Sequence, residues 1–564
     1  MDASFAYDPL DYYKEYLKPT HEKNVSDYFD ELTRLSGVDV HENRKTVREY
    51  RDKEKQVEKL KNRLFWLKFL RVSLFVLSGI LILLSLLEVI SFYISLPVSI
   101  LAVLSVFVWL NKKIGGFDKT LEKENAALNA LYQKALLEMA PLNNLFSESA
   151  TLSLFEKTNP HFKFSKNFSY KTARDLRENY DMPEYDDDNV SVLDTLSGYY
   201  NDNPFVYLRR LIHTLGEGVY YGYRTISWTE YYRDSNGRSR TRLRTQTLRA
   251  SVVKPKPYYH VDTCLHFGAQ AAPDLSFSRE GKNINQKSDG AIERMVKSEE
   301  KKLKRRSEKA IGRGDSFVGM TNTEFDVLFG ATDRDHEVQF RLMFTPLAQT
   351  SIVELVLSDD TYGDDFNFYK RRRDNIIRTQ HAQSFTMETL PDRYKSFSFD
   401  EAREKFLSFN NEYFKSVYFD FAPLLAVPAY HEDVRVEKKE IEKGKQAYAD
   451  EEYEAMANAL GASGFAHLLN NSNIILKAKY LSKNGDEEKI SVTAHSYATR
   501  NCVDTVMVLG GDGRLHAVAV PWVEYIPVSN ESLMFTKIEP EKNVEKGAKS
   551  QTVKDKILAY VKAD

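Results

Sequence analysis

Cysteine is scarce in this sequence. Only two cysteines, Cys264 and Cys502, occur among the 564 residues. Small secreted domains held together by disulfides need several pairs at regular spacing, so this class of protein is excluded. The scarcity agrees with a chain whose bulk lies in a reducing compartment.

The sequence also lacks an excess of charge of either sign. Lysine and arginine number 79 and aspartate and glutamate 81, which gives a net charge of −2. Proteins that bind nucleic acid over a large surface are usually strongly basic. The overall charge therefore gives no argument for nucleic acid as a partner.

Short motifs of familiar enzymes are absent as well. The sequence contains no Walker-A phosphate loop, no His-Glu-x-x-His motif, no Cys-x-x-Cys pair and no Gly-x-Ser-x-Gly elbow. We assign no catalytic residue, metal ligand or cofactor from the sequence and expect a protein without enzymatic activity. The alternative is a catalytic site assembled from distant residues, which spacing in the sequence cannot reveal.

One hydrophobic run dominates what is present. Residues 72–110 contain a single charged side chain, Glu88. The hydrocarbon core of a bilayer is about 30 Å thick, and a helix of about 20 apolar residues crosses it. We therefore expect a transmembrane hairpin with spans at 72–90 and 95–110 and a tight turn near residues 91–95.

Basic residues flank both ends of this run. Lys68 and Arg71 precede the first span and Lys112 and Lys113 follow the second, whereas the turn carries neither Lys nor Arg. Because basic flanks stay on the cytoplasmic side of a membrane, both termini are expected in the cytoplasm. The lipid bilayer is thus the first expected partner of this chain.

The segments that flank the spans have helical periodicity. Val57, Leu60, Leu64 and Leu67 recur at heptad spacing before the first span, and another amphipathic pattern follows the second. This predicts a helical stalk, which with the hairpin covers residues 43–146. The two legs of one chain would pair antiparallel, or two copies would form a parallel coiled coil.

A β-hairpin is the clearest pattern in the middle of the chain. Residues 220–233 and 238–253 are rich in Tyr, Thr, Ile and Trp, and between them lies Asn236-Gly237. Asn-Gly is typical of a two-residue type I′ turn. Such a turn would place Trp228 opposite Thr245.

Arginine recurs at alternate positions on the second strand of this hairpin. We name Arg238, Arg240, Arg242 and Arg244 the arginine row. Alternation places the row on one face, with Arg240 opposite Arg233 and with Trp228 on the other face. Adjacent like charges repel unless an anion screens them, so the row is a candidate anion-binding face, for example for lipid headgroups. The alternatives are a solvated edge that resists aggregation and a surface for an acidic protein.

A further strand is predicted over residues 258–267. His260, Asp262, Cys264 and His266 alternate onto one of its faces. These side chains can bind metals, but neighbours on one face lie about 6.6 Å apart, so one strand usually offers two ligands to one ion. We interpret the pattern as a polar strand face.

Several segments between residues 325 and 346 carry a resemblance to a known family. They are the predicted strand Phe325-Asp326-Val327, the acidic turn Asp333-Arg334-Asp335 and a predicted strand that ends at Phe344-Thr345-Pro346 before a helix. Together with the two spans, they resemble an uncharacterised bacterial membrane-protein family with two transmembrane helices ahead of a cytoplasmic α+β domain of unknown function. The resemblance implies a bacterial source and an inner-membrane location, and it supplies no catalytic residue.

The C-terminal part has the pattern of an antiparallel meander after a helix near residues 450–460. Its strands are predicted at 474–481, 489–495, 503–509 and 515–521, with Gly-rich turns between them. The chain thus divides into an N-terminal helical segment (1–42), the stalk with its hairpin (43–146), a polar linker and helix (147–215), a cytoplasmic α+β domain (216–430), and a C-terminal helix plus antiparallel β meander (431–564).

These patterns predict an α+β membrane protein. A transmembrane hairpin with a helical stalk would be followed by two cytoplasmic α+β domains, each with an antiparallel sheet. We expect a membrane-anchored scaffold, receptor or sensor that binds a protein, a second copy or an anionic ligand such as anionic lipid near the inner membrane surface. The alternative is a membrane-associated enzyme, for example a hydrolase, with dispersed catalytic residues.

Overall fold

A computed structural model describes residues 8–86, 92–185, 187–233, 237–313, 319–384, 387–431 and 446–537. It shows a mixed α+β protein with antiparallel sheets, which confirms the predicted fold class at that level. The chain forms two compact units. The sheet unit comprises Met1–His21, Leu152–Glu388 and Tyr413–Asp564, and the helical unit comprises Glu22–Thr151 and Thr389–Glu412.

The helices and strands have the following bounds. The α-helices are α1 (Pro9–Tyr12), α2 (Lys18–Ser36), α3 (Val40–Leu86), α4 (Phe92–Ser105), α5 (Asn111–Asn143), α6 (Ala150–Thr158), α7 (Tyr170–Tyr180), α8 (Asp289–Arg313), α9 (Thr323–Phe329), α10 (Glu337–Met343), α11 (Pro346–Leu357), α12 (Gln380–Ser384), α13 (Phe399–Leu425) and α14 (Asp450–Gly461). The strands are β1 (Phe162–Ser165), β2 (Val190–Tyr200), β3 (Asn203–Arg233), β4 (Ser239–Gly268), β5 (Ser276–Arg279), β6 (Phe366–Arg371), β7 (Asp374–Thr379), β8 (Ile475–Asn484), β9 (Glu487–Leu509) and β10 (Leu515–Lys537).

Two long helical stretches pair antiparallel in the helical unit. The first is α3, and the second runs from α4 through a π-helical segment, Val106–Leu110, into α5. Lys68 contacts Asp118 at 3.0 Å, and nearer the other end of α3 the carboxylate of Glu42 contacts Lys134 at 3.1 Å. Both stretches are long and apolar enough to cross a membrane.

The predicted turn of the hairpin is described only in part. Residues 87–91, including Glu88, lie outside the described residues, and α4 already begins at Phe92. The second helix therefore starts three residues earlier than the predicted bound of 95. Phe92, Tyr93 and Ile94 are apolar and precede Pro97, so no residue in this short stretch breaks the helix.

A third, bent pair of helices also meets the length and composition of a span. It consists of α10 and α11, which meet at an angle of 76°. Phe340 and Ile352 of these helices are fully buried inside the sheet unit. Protein therefore already covers one side of this pair, whereas Val338 and Leu342 are exposed.

The sheet unit contains both sheets. The larger has seven strands in the order β1-β2-β3-β4-β7-β6-β5, and the smaller has three in the order β10-β9-β8. On one face of the larger sheet, Leu208 and Cys264 pack with Leu176 of α7. On the other face, Phe205 and Phe267 contact Phe421 of α13. The sheet is thus covered by helices on both faces.

Strands β3 and β4 continue far beyond the seven-stranded sheet. They pair with each other from Phe205↔Phe267 to Arg233↔Ser239, whereas β2 pairs with β3 only as far as Ile212. We call the remaining two-stranded part, residues 213–233 and 239–260, the arm.

The C-terminal hairpin of β9 and β10 packs on one face of the arm. Ile226 and Leu248 of the arm form a small core with Val518 and Val520 of β10. A Cβ atom at Gly222 would lie 2.1 Å from the carbonyl oxygen of Ala519, so this close approach requires glycine.

Three predicted elements are wrong. The helix predicted at the end of the 147–215 segment is the start of β3, whose side chains alternate between two covered faces of the sheet. The strands predicted around Phe325 and Phe340 are helices α9 and α10. Each begins with a capping side chain, Asn322 or His336, and carries phenylalanines four residues apart that pack together, as in the Phe340–Phe344 pair.

The C-terminal meander has three strands instead of four. Residues 489–495 and 503–509, predicted as separate strands, belong to the single strand β9. The residues between them contain neither Gly nor Pro, so nothing in the backbone interrupts the ladder with β10. The predicted helix near residues 450–460 is confirmed as α14.

Candidate functional site

The arginine row lies at the tip of the arm. All four side chains are exposed, and they belong to the start of β4 and the residue before it. Residues 230–244 hold five arginines and two acidic residues, so the tip carries net positive charge.

The register of the arm differs by one residue from the prediction. Trp228 pairs with Arg244 and Arg240 pairs with Tyr232, so the predicted pairings of Trp228 with Thr245 and of Arg240 with Arg233 are wrong. Residues 234–236 lie outside the described residues, which leaves the predicted Asn236-Gly237 turn untested. Gly237 adopts a positive φ of 76°, and the pairing of the two strands extends to Arg233↔Ser239.

This register has a clear physical reason. It places Ile226, Trp228, Leu248 and Ala250 on the same face, where they form a single apolar cluster with β10. A shift of one residue would move half of these side chains to the opposite face. Burial of the cluster therefore explains why the register differs from the one that the Asn236-Gly237 pattern predicts.

As a consequence, the arginine row shares a face with the apolar cluster. The tip of the C-terminal hairpin reaches the arm at Gly511, whose backbone N–H donates to Gln246 Oε1 at 2.7 Å. The arginines lie beyond this contact, where β9 and β10 no longer cover the face. Glu230 neutralises part of the positive charge of the arginine row through an ion pair with Arg244 at 2.7 Å.

The opposite face of the arm carries exposed apolar and aromatic side chains. Tyr223, Tyr231 and Leu243 are 63 %, 79 % and 71 % exposed. Arginines on one face and exposed rings on the other make the tip a surface that can contact phosphates and apolar groups together.

No protein-family model, curated protein or solved structure matches this chain. The resemblance to a bacterial membrane-protein family therefore stays an interpretation, and two of the strands that suggested it are helices. The function has to be inferred from the geometry of the chain itself.

The four ligand-type residues of β4 do not converge on one point. His260 is exposed on the arm, and Asp262 is paired with Arg210 at 2.5 Å. Cys264 and His266 are buried between the sheet and its helices. In the part of the chain that the structure describes, no three His, Cys, Asp or Glu side chains are arranged to hold a metal ion.

Cys264 and His266 instead form a connected chain with a carboxylate that the sequence analysis missed. Cys264 Sγ lies 3.6 Å from His266 Nε2, and His266 Nδ1 lies 3.0 Å from an oxygen of Asp374. Asp374 follows 108 residues later in sequence. It reaches the site because β7 pairs with β4, with Gly268 opposite Asp374.

Burial and charge act against each other in this cluster. Burial alone lowers the pKa of His266, but attraction to Asp374, reinforced by Cys264 and Tyr185, raises it well above its usual value. Burial raises the pKa of the Cys264 thiol, but His266 and Arg210 together lower it by more than burial raises it. The pKa of Cys264 is therefore lowered overall. The arrangement favours a thiolate beside an imidazolium.

Proposed function

We propose that this protein is a membrane-anchored scaffold or sensor whose arm binds an anionic phospholipid surface. The anchor is the hairpin of α3 and α4, placed in a bacterial inner membrane with both termini in the cytoplasm. The observation that carries the proposal is the exposed arginine row at the tip of an arm that extends beyond its covering hairpin.

The exposed side chains of the apolar helices support the anchor. Val76 and Leu83 of α3 and Leu101 of α4 are 56 %, 56 % and 72 % exposed. Water would solvate such a surface unfavourably, whereas hydrocarbon covers it without loss. A membrane therefore satisfies side chains that the helical unit leaves uncovered.

Aromatic and basic residues mark the stalk end of the apolar segments. Trp66 and Trp109 are 64 % and 58 % exposed, and Lys113 lies over the ring of Trp109 at 4.4 Å. Tryptophan collects at the level of the lipid headgroups, and lysine and arginine collect on the cytoplasmic side. This pattern supports the proposed orientation.

Phospholipid is favoured as the anion because the chain is tethered to a bilayer. The guanidinium group forms paired hydrogen bonds with phosphate oxygens, and each basic residue near an anionic membrane contributes about 1 kcal/mol. A protein partner or a second copy of the chain is the competing occupant of the tip.

The test uses the full chain in nanodiscs of neutral phosphatidylcholine, mixed with vesicles that do or do not contain phosphatidylglycerol. Replacing Arg240, Arg242 and Arg244 with Ser is expected to weaken binding to the phosphatidylglycerol vesicles about 100-fold, since three contributions of about 1 kcal/mol are lost. Co-sedimentation of labelled nanodiscs measures the change.

Two controls distinguish vesicle binding by the arm from binding by exposed positive charge elsewhere on the chain. Replacing the same three arginines with Lys should restore most of the binding, because the charge is kept. Replacing Lys301, Lys304 and Arg305 of α8, which are also exposed, should leave binding unchanged. The proposal would be contradicted if the arm and α8 variants lost vesicle binding equally. It would also be contradicted if the arm variant with Ser bound as well as the wild type.

A further inference from the structure

Cys264, His266 and Asp374 form a buried cluster, here called the Cys264 cluster, which lies outside the proposed anchor and arm. Cys264 and His266 lie two residues apart on β4 and therefore on one face of the strand. The thiol lies 3.6 Å from His266 Nε2, and Asp374 contacts the other ring nitrogen at 3.0 Å. A thiol, an imidazole and a carboxylate in this order form the arrangement that activates a cysteine as a nucleophile.

Charged groups from three strands lie around this thiol. Arg210 comes from β3, Asp262 from β4 and Asp374 from β7, and Arg210 is paired with Asp262 at 2.5 Å. Lys477 of β8 lies further out and donates to the backbone oxygen of Tyr185 at 3.3 Å. Two cationic groups, His266 and Arg210, thus lie near the sulfur, which stabilises its anionic form.

Tyr185 covers the cluster. Its hydroxyl lies 2.8 Å from His266 Nε2, and the guanidinium of Arg210 lies 4.6 Å from the centre of its ring. Tyr185 is partly exposed, whereas Cys264 and His266 are 1 % and 0 % exposed. Access to the sulfur at this level of burial favours a very small reactant over a substrate with bulky substituents.

We propose that Cys264 is a redox-active thiolate that reacts with hydrogen peroxide. The sulfur attacks one peroxide oxygen, the O–O bond breaks, and an S–O bond forms. The leaving hydroxide takes the proton of the His266 imidazolium. The thiolate, hydrogen peroxide and imidazolium thus become a sulfenic acid, water and neutral imidazole, with sulfur oxidised by two electrons and peroxide reduced by two.

Oxidation of Cys264 and lipid binding by the arm depend on different residues. A sulfenic acid adds an oxygen atom where the sulfur already touches the imidazole and the carbonyl of Leu208, at 3.8 Å. The hydrogen bond between Tyr185 and His266 also changes, because the imidazole loses its charge. Oxidation of Cys264 would give a membrane-anchored sensor its chemical input.

The test compares two single-thiol forms of the full chain in detergent, treated with hydrogen peroxide, quenched with catalase and then unfolded in dimedone so that the trapping reagent reaches a buried sulfenic acid. Cys502→Ser retains only Cys264, and Cys264→Ser retains only Cys502, which lies on β9 away from the cluster and serves for comparison. At pH 6 we expect Cys264 to form the dimedone adduct at least ten times faster than Cys502. Mass spectrometry of the peptides measures both rates.

The pH profile distinguishes an activated thiolate from a thiol that is merely accessible. Between pH 8 and pH 6 the rate for Cys264 should fall less steeply than tenfold per pH unit, which is the fall expected of a thiol below its pKa. In the Cys502→Ser background, His266→Gln should restore that steep dependence.

Tyr185→Phe tests the site while keeping the ring, in case the buried His266 variant does not fold. Loss of the hydroxyl removes a hydrogen bond from Nε2, and we expect the Cys264 rate to rise. No adduct on Cys264, a tenfold fall per pH unit in the Cys502→Ser protein, or a rate unaffected by Tyr185→Phe would each overturn the inference.

Discussion

An arginine in each apolar helix is expected to release the chain from the membrane. In the double variant Ile80→Arg, Leu101→Arg, each guanidinium opposes insertion by about 3 kcal/mol. The two side chains are 47 % and 72 % exposed, so they face the medium around the helices. Membranes washed with alkaline carbonate should retain the wild type and lose the variant.

The matched control places the same charge outside the apolar segments. Leu137 of α5 is 74 % exposed and lies beyond the predicted spans. Leu137→Arg should leave the chain in the washed membrane. Retention of the double variant at the wild-type level would show that these two helices do not anchor the protein.

Glutamine in place of Glu452 is expected to make the sheet unit less sensitive to pH. Glu452 lies in the first turn of α14, where one oxygen accepts hydrogen bonds from the backbone N–H of Phe168 and the hydroxyl of Thr195. Burial raises the pKa of Glu452 from 4.5 to about 7. The charge of Asp194 adds to this increase, and the two hydrogen bonds oppose it.

The number of protons bound by the folded and unfolded chain determines how stability changes with pH. Below pH 4.5 the carboxyl is protonated in the folded and unfolded chain, and its contribution is constant. Between pH 4.5 and 7 the unfolded chain loses this proton while the folded chain keeps it, so wild-type stability falls. A difference of about 2.5 pKa units corresponds to about 3 kcal/mol.

Hydrogen exchange of the α14 backbone, measured by mass spectrometry on the full chain, checks this expectation. The opening free energy of Glu452→Gln relative to wild type should rise by about 3 kcal/mol between pH 4.5 and pH 7.5. Glu487→Gln, at an exposed position of β9, should show no such trend. A constant difference for Glu452→Gln across this range would show that the buried carboxyl does not hold its proton.

The hydrophobic run and the C-terminal turns could be predicted because their signals are local. Residues 72–110 are apolar enough to indicate two spans without any tertiary contact, and two helices of suitable length lie among the described residues. Gly485 and Gly513 adopt positive φ values between strands that pair as hairpins. These backbone conformations depend mainly on the glycines themselves.

The register of the arm could not be predicted from local signals. Asn236-Gly237 favours a two-residue turn, yet the pairing follows the burial of Ile226 and Leu248 against a hairpin more than 250 residues later. The Cys264 cluster could not be predicted for the same reason, because it depends on the pairing of strands that are distant in sequence. His266 and Cys264 are visible in the strand pattern, but Asp374 reaches them only through the pairing of β4 with β7.

The short helices α9 and α10 are a different case, because the missed signal was present. Both segments are short apolar runs, in which strand and helix periodicities are hard to distinguish. Asn322, as a capping side chain, and the four-residue spacing of Phe325 and Phe329 would have indicated a helix.

Protease protection of intact spheroplasts from a bacterial expression host tests whether the apolar helices leave the sheet unit in the cytoplasm. In the proposed topology, the two apolar helices hold the chain in the membrane with the sheet unit on the cytoplasmic side. Trypsin added outside should leave the arginine-rich arm intact and should cleave it only after the membrane is permeabilised. Cleavage of the arm in sealed spheroplasts would contradict the account.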